Sequence, residues 1–398
     1  MCILKKQSDT HSAKSVIHLS QDILSEHTEQ TRRSDLRIAI VSDAIAGRNG
    51  VGTFYLDLLA QILPHVGAAQ LFSPSDIPDR TLERFALPLP GDKTQRLAWP
   101  KKSTLYNQLD ALDPSIIVIP SLGMFSYFAF RYAQIKAIPF VVVNHTDFDQ
   151  LLSIYWPNWL SRPFQNILSI INRRLCEKAV GIGVLNDTAE QKAKQNGARS
   201  VQIMATPLDK DFLTHPIQPI DGAINRAIFV GRLAPEKGIN ELLHAVHSLS
   251  AVHFTVIGDG PLRDKVQTAA NAYRNLSYLG WLPRKRVREE IDAAHVLLLP
   301  SIYETFGTVA LEALARERFV IASEGCGISK WPSLASGIFT ISRETSLTSV
   351  LSDICRQSFE ERDRHARKSW QAVREFNGKA ITDWLDFFYK SILPRTSN

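Results

Sequence analysis

Short runs of apolar, largely branched residues recur along this chain with helix-length polar and amphipathic segments between them. Leu36–Ser42, Ala69–Phe72, Ser115–Pro120, Pro139–Val143, Val180–Leu185 and Ser200–Met204 form a first series, and Arg226–Gly231, Val252–Gly258, Asn275–Gly280, His295–Leu299 and Phe319–Ser323 a second. Strands separated by helices pair in parallel through right-handed crossovers, with helices covering both sheet faces. Between the two series, Ala205–Asn225 contains Pro207, Pro216 and Pro219 and little periodicity, the composition of a linker. The chain therefore reads as α/β, two similar parallel-sheet domains joined by a hinge, over residues 35–207 and 208–375. The final segment carries Trp370, Phe376, Trp384, Phe387 and Phe388. It predicts a long helix that buries aromatic surface and, from residue 376 to 398, returns to the first domain.

Composition narrows the possibilities. With 398 residues, 44% of them hydrophobic, two sizeable cores can be built. The net charge of +6 suits an anionic partner, or simple solubility. Cys2, Cys176, Cys326 and Cys355 are scattered, so neither a zinc site nor a disulfide framework is indicated, and a cytoplasmic location follows. No apolar run approaches the ~20 residues that span a bilayer. Residues 1–34 are polar and mixed in charge, unlike a secretion signal, and are expected to form a poorly ordered extension.

Candidate chemistry gathers where strands should end. The run Val296–Leu299 stops at Pro300; Glu304, Phe306, Gly307 and Thr308 follow, then a helix-forming segment containing Glu312. Backbone N–H groups at such a helix start suit an anion, and the carboxylates suit hydroxyls. After the strand Arg226–Gly231, Arg232 offers a planar fork and Lys237 a point charge, a pair fitted to a diphosphate. In the first domain, Gly47, Gly50 and Gly52 form a loop that a ligand can approach closely, and Asn144-His145 sits at another strand end. Leu151–Leu175, with Tyr155, Trp156, Trp159, Phe164, Arg173 and Arg174, is either core-packed helix or a surface for a membrane or an apolar acceptor. Arg284-Lys285-Arg286 reads as a solvated helix start.

These motifs resemble the retaining, nucleotide-sugar-dependent glycosyltransferases of family 4, which have the two-domain, Rossmann-like GT-B fold. The likeness is carried by Gly231-Arg232-Leu233-x-x-Glu236-Lys237-Gly238, Gly258-Asp259-Gly260-Pro261, Gly280-Trp281-Leu282 and the pair Glu304/Glu312 within E-T-F-G-x-x-x-x-E-A. The N-terminal part, with Asn49-Gly50-Val51 and His145-Thr146-Asp147-Phe148, is most similar to enzymes that glycosylate lipids.

What the resemblance implies can be placed residue by residue. Arg232 and Lys237 would bind the donor diphosphate with the backbone of Gly307 and Thr308. Glu304 would meet the transferred sugar and Glu312 the nucleotide ribose. His145 would face the sugar from the other domain, and Gly50 would let the first loop approach the phosphates. Gly231, Gly258, Gly260 and Phe306 belong to the donor pocket. One departure is plain: where the family often continues with a glycine-containing turn, this chain has Ala315-Arg316-Glu317-Arg318-Phe319.

The implied reaction is hexose transfer from a nucleotide-diphosphate sugar to an acceptor hydroxyl with retention. Fixed cations would carry the leaving-group charge, with no cofactor and no metal. Asp147-Phe148-Asp149 spells a D-x-D but lacks the context of a metal site. Expected partners are the nucleotide-sugar donor, a lipid or glycan acceptor and peripheral contact with the inner face of a membrane, and no nucleic acid. A sugar-nucleotide epimerase or an inactive scaffold of the same fold are the alternatives.

Overall fold

The computed structural model describes residues 35–47, 50–75, 81–89, 92–120, 122–145, 158–220 and 222–393. The N-terminal 34 residues, Asp147, Asp149 and the first part of the aromatic segment lie outside them, and with them the expectations made there. The first domain is built on β1 (Arg37–Val41), β2 (Ala68–Phe72), β5 (Ile116–Ile119), β6 (Phe140–Asn144), β7 (Gly181–Val184) and β8 (Val201–Ile203). They form a sheet in the order β2-β1-β5-β6-β7-β8, parallel throughout. The second domain repeats the scheme with β9 (Arg226–Val230), β10 (His253–Ile257), β11 (Leu276–Gly280), β12 (Val296–Leu299), β13 (Phe319–Ser323) and β14 (Ile338–Ile341), ordered β11-β10-β9-β12-β13-β14.

Both faces of each sheet are covered, which is why the strands read as unbroken apolar runs. Alternate residues of β1 show this: Ile38 and Ile40 enter one core cluster, Ala39 and Val41 another. The helices of the first domain are α1 (Gly50–Ile62), α2 (Lys102–Leu112), α3 (Met124–Lys136), α4 (Asn158–Lys178) and α5 (Asp187–Gln195). The linker carries α6 (Lys210–Thr214), and the second domain α7 (Ile239–Ser248), α8 (Arg263–Ala272), α9 (Arg284–Ala293), α10 (Thr308–Ala315) and α11 (Leu347–Arg356).

Two features were not expected. An antiparallel hairpin, β3 (Glu83–Leu89) with β4 (Asp92–Pro100), stands outside the main sheet, with Phe85 stacked on Trp99 at 4.8 Å. Pro88 and Pro100 and the mixed polarity of these stretches hide it from a reading based on apolar runs. The second is the edge strand β14, which is only four residues long and half-buried.

The last helix, α12 (Phe359–Ile392), is continuous, so residue 376 falls in its interior. A capping box between Ser358 and Glu361 starts it. It then packs on both domains. Phe376 stacks on Phe306 and meets Trp331 edge-on in the second. Trp384 and Phe387 lie over β7 of the first, where a Cβ at Gly181 would stand 3.0 Å from Phe387. The fully buried Trp384 Nε1 donates to the Ala205 carbonyl at 2.9 Å. Beside it, Gln61, Leu208 and Asn377 close a buried hydrogen-bonded triangle that joins α1, the linker and α12.

The charged turn after α10 has a structural cause. Glu317 adopts φ 56°, the left-handed conformation that a glycine would take more readily. The flanking arginines are fully or almost fully buried. Arg316 donates to both oxygens of Asp292 and to the carbonyls of Phe212, His215 and Pro216. Arg318 donates to the carbonyls of Ile291, Asp292 and Gln218. The turn thereby staples the linker to the second domain.

Candidate functional site

In a parallel sheet every strand ends on the same edge, and the following loops gather there. In this chain both sheets turn that edge toward a shared cleft of about 300 Å³. Its described lining comes from the β6 end (Asn144, His145), from α4 and α5 (Asn172, Lys192), and from the second domain's loops (Glu304, Lys330). Asn186 caps α5 through its Oδ1 and spans the cleft with its Nδ2, donating to the Thr305 carbonyl at 3.0 Å.

Elsewhere along the second domain's strand-end edge, backbone sets the shape of the loops. At Gly258, φ is 140° and an added Cβ would lie 1.8 Å from the Gly231 carbonyl oxygen, so the Gly258–Gly260 turn can press against the Gly231–Leu233 loop only without a side chain. The two loops are tied by Leu233 N–H donating to Asp259 O at 3.0 Å. Gly307, at φ 99°, starts α10 and presents its first backbone N–H groups toward the same edge.

Each charged residue assigned by sequence to the donor site has a partner. Lys237 Nζ binds Glu304, whose side chain is about one-fifth exposed and faces the cleft. Arg232 binds Glu236, an almost fully buried carboxylate on the intervening turn. The loop that carries the two cations is thus pre-ordered, and an incoming anion would meet groups whose charge is already balanced. Glu312 is buried, and desolvation pushes its carboxyl up. One of its oxygens accepts from Arg284 Nη2 at 2.7 Å.

Arg284 is therefore no solvated helix start. It binds Asp57 of α1 with both terminal nitrogens, Glu312 with one of them, and approaches Asp209 of the linker at 3.4 Å. Its neighbour Arg286 does follow the expectation, being exposed and paired with Glu289 within α9.

His145 lies in the first-domain wall. Its Nε2 hydrogen-bonds the Tyr55 hydroxyl at 2.7 Å, and Phe54 packs edge-on at 4.6 Å. Burial drives its pKa down to about 3, so the imidazole is neutral at physiological pH. It can exchange hydrogen bonds with a ligand and carries no charge to one. Gly50 opens α1, and a Cβ there would meet nothing within 4 Å, which leaves the loop approachable. Phe306 is 2% exposed between Trp331 and Phe376, so it supports the Glu304–Gly307 loop from beneath. The sequence reading did not single out Asn186, Tyr55 or Asp57. Asn186, just past a strand and before a helix, carried a signal of position; the other two lie within a helix and carried none.

Residues 213–332 match the family described as glycosyl transferases group 1. Among curated relatives, the chain is 28% identical over 203 residues to a 2-deoxystreptamine glucosyltransferase of Streptomyces kanamyceticus, covering 46% of this chain and 52% of that one. It is 22% identical over 262 residues to the sulfoquinovosyl transferase SQD2 of Arabidopsis thaliana, covering 63% and 50%. The chain spans about half the length of these relatives. Its fold is similar to that of a sucrose-phosphate synthase from Thermosynechococcus elongatus, with a TM-score of 0.65 at 17% identity over 90% of this chain and 99% of that one. The chain is thus a two-domain protein of the GT-B fold whose residues 213–332 match the group 1 glycosyltransferases.

Proposed function

We propose that this protein is a retaining glycosyltransferase that moves a hexose from a nucleotide-diphosphate sugar to a hydroxyl of a membrane lipid or glycan. The observation that carries the reading is the Lys237–Glu304 pair, whose carboxylate lines the interdomain cleft, inside the matched segment and beside the start of α10. Cleaving the bond to a nucleoside diphosphate leaves negative charge on the departing phosphate. Lys237, Arg232 and the α10 N-terminus would hold it in place of their present partners. Glu304, released from Lys237, would accept hydrogen bonds from sugar hydroxyls, and neutral His145 would bind from the opposite wall. Glu304 is the one carboxylate among the described cleft-lining residues. That arrangement supports front-face attack, in which the leaving phosphate takes the proton of the acceptor hydroxyl.

An amphiphilic acceptor is supported by α4. Ile167, Ile170 and Ile171 are exposed at helical spacing with Arg174, while Leu168, Ser169 and Asn172 of the same helix line the cleft. No described helix is long and apolar enough to cross a membrane, so contact would be peripheral. The test is calorimetry of wild type and Lys237→Ala against uridine and guanosine diphosphates and their sugars, followed by turnover with lipid acceptors. One nucleotide sugar should bind the wild type at least tenfold more tightly than the variant. Binding that ignores Lys237, or sugar turnover without an acceptor, would overturn the reading.

A further inference from the structure

Arg284 is oddly placed for a helix-stabilising residue. It begins α9, where the helix dipole disfavours a cation. Helix stability does not account for it, but its partners do. Asp57 comes from the first domain, Asp209 and the Phe212 ring, 5.4 Å from the guanidinium carbon, from the linker, and Glu312 from the second domain. One side chain thus touches the first domain, the linker and the second domain. The three carboxylates all gather on its two terminal nitrogens, while the buried Nε has no hydrogen-bond partner among the described residues.

Glu312 shows the consequence of that crowding. Its Oε1 is taken by Arg284, while Oε2 has no protein partner among the described residues and is not one of their sealed polar atoms. Asp57 lies end-on across both terminal nitrogens of Arg284, so Glu312 cannot take that end-on grip and is held through Nη2 alone. If the domains separate, Asp57 leaves with α1, the fork is freed, and it can close on both Glu312 oxygens. We infer that Arg284 is a positioning residue that couples approach of the two domains to the orientation of Glu312, leaving Oε2 open to a ligand hydroxyl only while Asp57 is engaged. The ligand part rests on the glycosyltransferase reading, with a nucleotide ribose as the hydroxyl donor; the domain part does not.

The experiment compares wild type with Asp57→Asn, Asp57→Glu and Arg284→Lys. Small-angle X-ray scattering without ligand reports domain separation, and calorimetry with uridine and guanosine diphosphates reports the site. Asp57→Asn, nearly isosteric, should raise the radius of gyration and weaken diphosphate binding about tenfold, the loss of one charged hydrogen-bonded contact. Asp57→Glu restores the carboxylate and should recover most of that affinity, whereas a packing role would favour Asn over Glu. Arg284→Lys keeps the charge without the fork and should fall between. Unchanged scattering in Asp57→Asn overturns the coupling. Altered scattering with unchanged affinity reduces Arg284 to a brace and overturns the positioning role. If the wild type binds neither diphosphate, the transferase reading fails, and scattering alone decides the coupling.

Discussion

Replacing Arg316 by methionine keeps the stem and most of its volume and removes the guanidinium. Five hydrogen bonds go with it, two to Asp292 at 2.7 and 3.1 Å and three to linker carbonyls at 2.5–3.3 Å. Breaking a buried ion pair by deleting one partner costs about 3–5 kcal/mol, because the other charge stays behind. Asp292 is 17% exposed and would rehydrate in part, which moves the estimate toward the lower end. The carbonyls of Phe212, His215 and Pro216 move it back, at about 1 kcal/mol for each that water cannot reach. We expect a loss of about 3–5 kcal/mol in the second-domain transition, read by urea unfolding followed by tryptophan fluorescence. The linker should loosen as well, so trypsin should cut at Lys210 faster in Arg316→Met under native conditions. Glu317→Gly is the matching control: it relieves the left-handed strain at φ 56° and should be neutral or stabilise by up to about 1 kcal/mol. A loss under about 1 kcal/mol in Arg316→Met, with cleavage at Lys210 unchanged, would refute the stapling role.

Lys237→Ala should lower kcat by about 10²–10³ once the donor is known, as for loss of one fixed group that stabilises developing charge. The double variant with Glu304→Ala should lose close to the product of the two single losses, since each group would hold a different part of the donor; a double loss no larger than that of Lys237→Ala in steady-state kinetics would contradict that. Buried His145 and His295, held down at about 3 and about 4, bind protons only in the unfolded chain between those values and about 6.5. Stability should therefore be fully present above about pH 6.5 and fall on acidification by up to about 1.4 kcal/mol per pH unit for each histidine. His145→Gln should flatten that slope in pH-dependent thermal melts, and an unchanged slope would mean that the ring is solvated. Trp384→Ala should destabilise by about 3–5 kcal/mol, measured by chemical denaturation, because the ring is fully buried and its N–H serves Ala205.

Both sheets were legible because a parallel strand buried on two faces announces itself as a run such as Val141-Val142-Val143 or Leu297-Leu298-Leu299. The β3–β4 hairpin was not, since an exposed antiparallel pair with prolines makes no such run. The positions of Lys237 and Glu304 after strand ends were legible, although not that the two bind each other across 67 positions. Arg284 was the harder case. A charge in a basic run at a helix start looks solvated, and its partner Asp57 is 227 residues away, a pairing that only the contact between the two domains creates. Phe306, expected in the donor pocket, packs beneath the loop, because its partner Phe376 arrives from the far end of the chain.

The course of α12 has a consequence for synthesis. The first domain's strands and α1 emerge from the ribosome early, but the cover over that face, Trp384, Phe387 and Phe388, lies close to residue 392. A nascent chain that had completed the second domain would still hold an open apolar surface on the first. The first domain to be made is the last to be finished, so a ribosome stalled or a reading frame broken before residue 384 would release a chain with two nearly complete lobes and one uncovered core.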